Sequence, residues 1–100
     1  MSEDNWKIRF KTFRRLINFL DLLIMKLLSW RMQVCNQIGK IKMQQNLPVY
    51  VPEREAQIIK SKQVLAKRYG LSGDYVDELF QVIMQESKRI QNTQEKTIMN

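Results

Sequence analysis

The sequence has no histidine at all and a single cysteine, Cys35. Together these remove most zinc sites, Ser-His and Cys-His nucleophile systems and imidazole acid–base chemistry. One cysteine closes no internal disulfide, and a reducing compartment suits it. Among apolar helical neighbours it reads as a small buried hydrophobe. Only three Gly and two Pro interrupt 100 residues, which excludes collagenous and loop-rich classes and favours helix. A long uncharged run is also missing. The apolar stretch Leu16–Trp30 is broken by Asp21 and Lys26, short of the roughly 18 residues of a membrane span. The opening Met-Ser-Glu-Asp-Asn is acidic where a secretory signal is basic. These features predict a cytoplasmic protein without a membrane partner.

Acidic residues are in deficit: 10 Asp+Glu stand against 17 Lys+Arg, a formal charge of +7. A basic balance favours an anionic partner, whether nucleic acid, a membrane surface or a small polyanion, although a solvated basic surface is the plain alternative. The length suits one domain, expected to cover residues 1–100.

From Trp6 to Gln45 there is one glycine, Gly39, and no proline. Phe13, Leu20, Leu27, Val34 and Ile41 recur at steps of seven, with Leu16, Leu23 and Trp30 between them. This spacing predicts one long helix. Forty residues of helix run about 60 Å, whereas a compact chain of this size has a radius of gyration of about 13 Å. Such a helix calls for a partner. Pro48 is expected to end it. Pro52, followed by Glu53 and Glu55, opens a second helix whose apolar residues are Ile58, Ile59, Leu65, Ala66 and Tyr69, with Gly70 as its stop. Ser72 caps a third, carrying Val76, Leu79, Phe80 and Ile83. That row continues into two polar residues, Ser87 and Gln91, and from Asn92 onward fraying is expected.

Polar groups inside apolar rows are the candidate site. Arg31 interrupts the row Ile17, Ile24, Ile38. A cation pointing at packed protein is costly unless paired, so a bound anion explains it, with snorkelling as the alternative. Lys42 lies eleven positions on, about 16 Å along the axis and about 20° around it, so the two cations share a face. On its own Lys42 is a solvated lysine near a helix end. Arg14 lies about 25 Å and roughly 100° from Arg31, out of reach of the same small ligand within one helix. If it takes part, it does so from another protomer. Arg54 in the first turn of the second helix runs against the dipole, and a surface pairing with Glu55 is its simplest account. Ser87 and Gln91, one turn apart, point to a polar cavity because unpaired buried polar groups are costly.

In order and spacing these residues resemble the all-helical chorismate mutase family from Phe13 to Gln91. The resemblance is carried by Arg14 with Ile17 and Asp21, Leu27-Leu28-x-x-Arg31, Ile38-Gly39-x-x-Lys42, Pro48-Val49, Arg54-Glu55, and Phe80-x-x-Ile83-x-x-x-Ser87-x-x-x-Gln91. It implies an all-α, three-helix protomer whose very long first helix crosses its twin in an intertwined, domain-swapped homodimer. It implies that Arg14 arrives from the other protomer, and that Arg31, Arg54 and Ser87 hold the two carboxylates of a small dicarboxylate substrate. Lys42 and Gln91 would bond the ether oxygen, and Glu55 the ring hydroxyl.

The implied reaction, chorismate to prephenate, is a pericyclic rearrangement that needs no cofactor, nucleophile or metal, so the missing histidines are no obstacle. Catalysis would come from holding a near-attack conformer and from donors aimed at the oxygen that gains charge. One position departs: Val51 stands where many members carry an acid that meets the hydroxyl. Same-fold relatives act as isochorismate-pyruvate lyases or as 4-amino-4-deoxychorismate mutases. Glu55 after Pro52-Glu53-Arg54 argues for a mutase over a lyase. A basic helical dimer on nucleic acid is the distant alternative, disfavoured because the cations that stand out are spread through apolar rows without an aromatic–basic surface.

Overall fold

The computed structural model describes the backbone of residues 2–99 and the side chains of residues 4–93. Three helices follow one another, α1 (Ser2–Gln44), α2 (Pro52–Arg68) and α3 (Gly73–Met99), with no strand among the described residues. The all-helical class and the very long first helix are therefore as the sequence predicts.

At 43 residues, α1 begins ahead of Trp6. Asp4 falls in its first turn, where negative charge suits the positive end of the dipole. It ends before Pro48, by a device the sequence reading passed over. Asn46 adopts a left-handed φ of 57°, its N–H donates to Met43 O at 3.3 Å and Leu47 N–H donates to Lys42 O at 2.7 Å. That is a Schellman closure with asparagine in the left-handed position. The same closure ends α2. There Gly70 has φ 71°, Gly70 N–H donates to Lys67 O at 3.3 Å and Leu71 N–H to Ala66 O at 2.8 Å. Gly70 is the expected stop.

At its start, α2 has Pro in the first turn and Val51 as N-cap, extended and offering no side-chain acceptor. The cap of α3 is Ser72, whose Oγ accepts from Tyr75 N–H at 3.3 Å. The α3 helix continues to Met99, past Asn92 where fraying is expected. Residues 92–99 contain neither Gly nor Pro, so no strong helix breaker falls there.

By contact the chain divides into two units, Met1–Arg31 and Met32–Asn100. In the second, α2 and α3 pack against each other. Glu55 meets Lys88 while Gln63 meets Asp77, so the two run antiparallel. The buried apolar residues are Cys35, Ala66, Val76, Ile83 and Met84, and Gly39 is buried with them. Cys35 is thus the buried free thiol expected. In the first unit the apolar rows are bare: Phe13, Leu16, Leu20, Leu23, Leu27 and Trp30 are all exposed, Trp30 by 59%. Among the described residues no helix is long and apolar enough to cross a membrane.

Candidate active site

The inner face of α3 sets the geometry. Four-residue steps carry its row from Val76 through Phe80 to Met84, and a parallel row from Ile83 through Ser87 to Gln91. Both polar residues are buried, Ser87 at 6% exposure and Gln91 at 8%. Ser87 Oγ donates to Ile83 O at 2.8 Å and lies 3.8 Å from Met32 Sδ. Gln91 differs, because its Oε1 is shielded from solvent and has no hydrogen-bond partner among the described residues. A buried acceptor left this way costs about 1–3 kcal/mol. The sequence places an amide where the helical period calls for a hydrophobe, and the fold leaves part of that amide unanswered.

Lys42 sits in the last turn of α1 and is half-buried. Its Nζ donates to Val49 O at 3.0 Å, which lays the cation across the α1–α2 connection. Glu55, in the first turn of α2, also lies partly inside. Its partner is Lys88 of α3: Nζ lies 3.3 Å from Oε2 and 3.3 Å from Oε1. The other side of that ammonium faces the Tyr50 ring, 4.7 Å from its centroid. The simple pairing of Arg54 with Glu55 is therefore replaced by one reaching across to α3, and Arg54 itself is exposed.

Arg14 and Arg31 belong to the first unit. Arg14 is exposed, its guanidinium stacked 4.4 Å from the Phe10 ring centroid one turn earlier. Arg31 is half-buried, whereas Ile17, Ile24 and Ile38 of its row are exposed. Within the second unit the fold ties Lys42 to the loop before α2, joins Glu55 to α3, and buries Ser87 and Gln91 one turn apart.

Neither Lys88 nor Tyr50 was singled out from the sequence. Lys88 follows Ser87 directly, so its flank of the inner face was legible, but its partner is 33 residues away and only tertiary packing brings it there. The α2–α3 groove, of about 740 Å³, shares Glu55 and Lys88 with these residues but not Lys42, Ser87 or Gln91. The titrations that the fold perturbs lie elsewhere on α3: Arg89 N–H groups hold the Glu86 carboxyl below its usual range, and Glu86 in turn raises Arg89. No group of three or more metal-ligating side chains forms among the described residues.

A very long first helix, a short α2 opening on an acid and an α3 that buries a serine and an amide define a small three-helix protein with polar groups in its interior. Residues 13–92 match the family of chorismate mutase type II, and the chain belongs to that family. It is 33% identical to the T-protein of Haemophilus influenzae, over 82% of this chain and 22% of that protein. It is 34% identical to the bifunctional chorismate mutase/prephenate dehydratase of Buchnera aphidicola subsp. Acyrthosiphon pisum, over 88% of this chain and 23% of that one. The protein of the same description from Aquifex aeolicus is 42% identical over 60% of this chain and 17% of its own length. The chain thus spans about a fifth of the length of these curated relatives.

Proposed function

We propose that this chain is a chorismate mutase, an isomerase that rearranges chorismate to prephenate as an intertwined homodimer in the cytoplasm. Residues 1–100 act as one helical domain that a second copy completes. No cofactor, nucleic acid or membrane enters the reading. The observation that carries it is the buried Gln91, at the end of the α3 row that runs through Ile83 and Ser87, whose amide oxygen has no hydrogen-bond partner among the described residues. A side chain in that condition suits a polar guest. Family membership says which guest to try.

In this reading Arg31, Arg54 and Ser87 bind the two carboxylates, and Arg14 of the partner subunit adds a further cation. Lys42 Nζ and Gln91 Nε2 donate to the ether oxygen, which gains negative charge as its bond to the ring breaks. Donors fixed beforehand in a dry site stabilise that charge without reorganising, and the loss of one such donor typically costs 10²–10³ in rate. Glu55 accepts from the ring hydroxyl. The remainder of the acceleration comes from holding the enolpyruvyl arm over the ring in a reactive conformer. The apolar rows of α1 supply the reason for a second copy, since contiguous exposed apolar surface of this kind marks an interface.

The test is direct. Purified chain is mixed with chorismate alone, and with isochorismate and the amino analogue in parallel, while substrate loss and product identity are followed. Prephenate formation from chorismate without additives is expected. A folded dimer that forms no prephenate would sink the reading.

A further inference from the structure

The Glu55–Lys88 pair has a geometry that bears on which ring substituent the site accepts. One ammonium lies 3.3 Å from each oxygen of the carboxylate, so neither oxygen is available without Lys88 beside it. The pair is largely shielded, with 24% of the Glu55 side chain and 32% of the Lys88 side chain accessible. The Tyr50 ring backs the ammonium on another side, 4.7 Å from centroid to Nζ, and a cation over a ring face is held by the ring quadrupole. Residue 51, the N-cap of α2, is a valine and brings no second negative charge.

Any group that hydrogen-bonds a Glu55 oxygen does so at about 2.8 Å, so with Nζ 3.3 Å from that oxygen the group lies within about 6 Å of Lys88. A hydroxyl there is neutral. It donates to a lone pair that Lys88 leaves open and meets no repulsion. An ammonium in the same place meets a like charge, and the carboxylate that would compensate is already neutralised. We infer that Lys88 is a specificity-determining residue, which sets the site to accept a hydroxyl and to reject an ammonium on the substrate ring. The inference rests on the mutase reading above and adds to it the chemistry that selects between two otherwise isosteric dicarboxylates. At a partly exposed site, a like charge at this distance is expected to discriminate by about tenfold.

The experiment uses the full chain with K88M, K88R and, as a second neutral variant, K88Q, each checked for helix content and dimer. For every protein, kcat/KM is measured with chorismate. The amino analogue, in which an ammonium replaces the ring hydroxyl, is measured as substrate or by its inhibition constant against chorismate. Wild type should prefer the hydroxyl. K88M and K88Q should move the preference about tenfold toward the ammonium, because Glu55 is released to pair with it, while K88R should keep the wild-type preference within about twofold. A preference unmoved in the neutral variants, or moved equally by K88R, overturns the assignment of Lys88. If wild type is active on chorismate and the preference stays put, the inference about Lys88 alone fails. If wild type turns over neither compound, the mutase reading fails and takes this inference with it.

Discussion

Replacing Gln91 by methionine should make the protein more stable and less active at once. The side chain is 8% exposed and its Oε1 has no hydrogen-bond partner among the described residues. Methionine keeps nearly the same length and volume, so little cavity or overpacking follows. It removes an unsatisfied acceptor whose burial costs about 1–3 kcal/mol. Even if the amide N–H₂ makes a hydrogen bond worth about 1 kcal/mol, the balance stays at or above zero, and a gain of about 1 kcal/mol is the central expectation. For a domain of this size that raises Tm by about 4–8 °C. The melt should be followed by circular dichroism at one fixed protein concentration, because subunit association shifts apparent stability. On the same samples the rate with chorismate should fall by about 10²–10³, the loss of one charge-stabilising donor. Stability sacrificed for function is a recurring pattern at active sites. A lower Tm for Q91M would refute the reasoning, because it would mean that the amide is fully satisfied in the native protein. A higher Tm with unchanged activity would leave Gln91 buried but remove it from catalysis.

The remaining expectations concern the other parts of the site. Mixing inactive R14A with inactive R31A should restore activity to about one quarter of wild type, since random exchange makes half the dimers hybrid and each hybrid carries one intact site of two; no recovery after proven exchange would place Arg14 outside its neighbour's site. In Q91E only the protonated acid can donate to the ether oxygen, and burial raises a carboxyl pKa, so activity should be present at low pH and be lost as pH rises through that raised value; a flat profile would argue against Gln91 as donor. V51S should add about 1 kcal/mol of stability by capping α2, which has no side-chain cap; an unchanged denaturation midpoint would show that the α2 N-terminus is already satisfied.

Much of this was legible because it depends on period. The rows of α1 and the continuation of the α3 row into Ser87 and Gln91 follow from 3.6-residue geometry, and the burial of both polar residues bears that pattern out. Capping was legible where one residue type carries it, as at Ser72 and Gly70. It was missed at Asn46, because proline nearby offered a sufficient reason for the same stop and asparagine enters the left-handed region less often than glycine. The partner of Glu55 was not legible. Arg54 is its sequence neighbour, but consecutive helical residues diverge by about 100° and do not face each other, whereas α3 brings Lys88 within reach. Sequence proximity named the wrong cation, and packing chose the right one.

The second unit, taken alone, has little with which to hold its polar interior in place. Its buried apolar residues are Cys35, Ala66, Val76, Ile83 and Met84, and no large side chain among the described residues is fully buried. A core so small rarely supplies more than about 3–5 kcal/mol, and an unsatisfied amide subtracts from that. The first unit has the opposite surplus, with aromatic and aliphatic rows that face solvent and no core of their own. Burying even a few of these at about 25 cal/mol per Å² outweighs the cost of one orphaned acceptor. In the proposed dimer, association would provide the hydrophobic energy that offsets a polar, partly unanswered interior. On the proposed dimer, the exposed rows of α1 and the unsatisfied amide of α3 would be two sides of one arrangement, in which burying the long helix supplies the stability that the amide gives up.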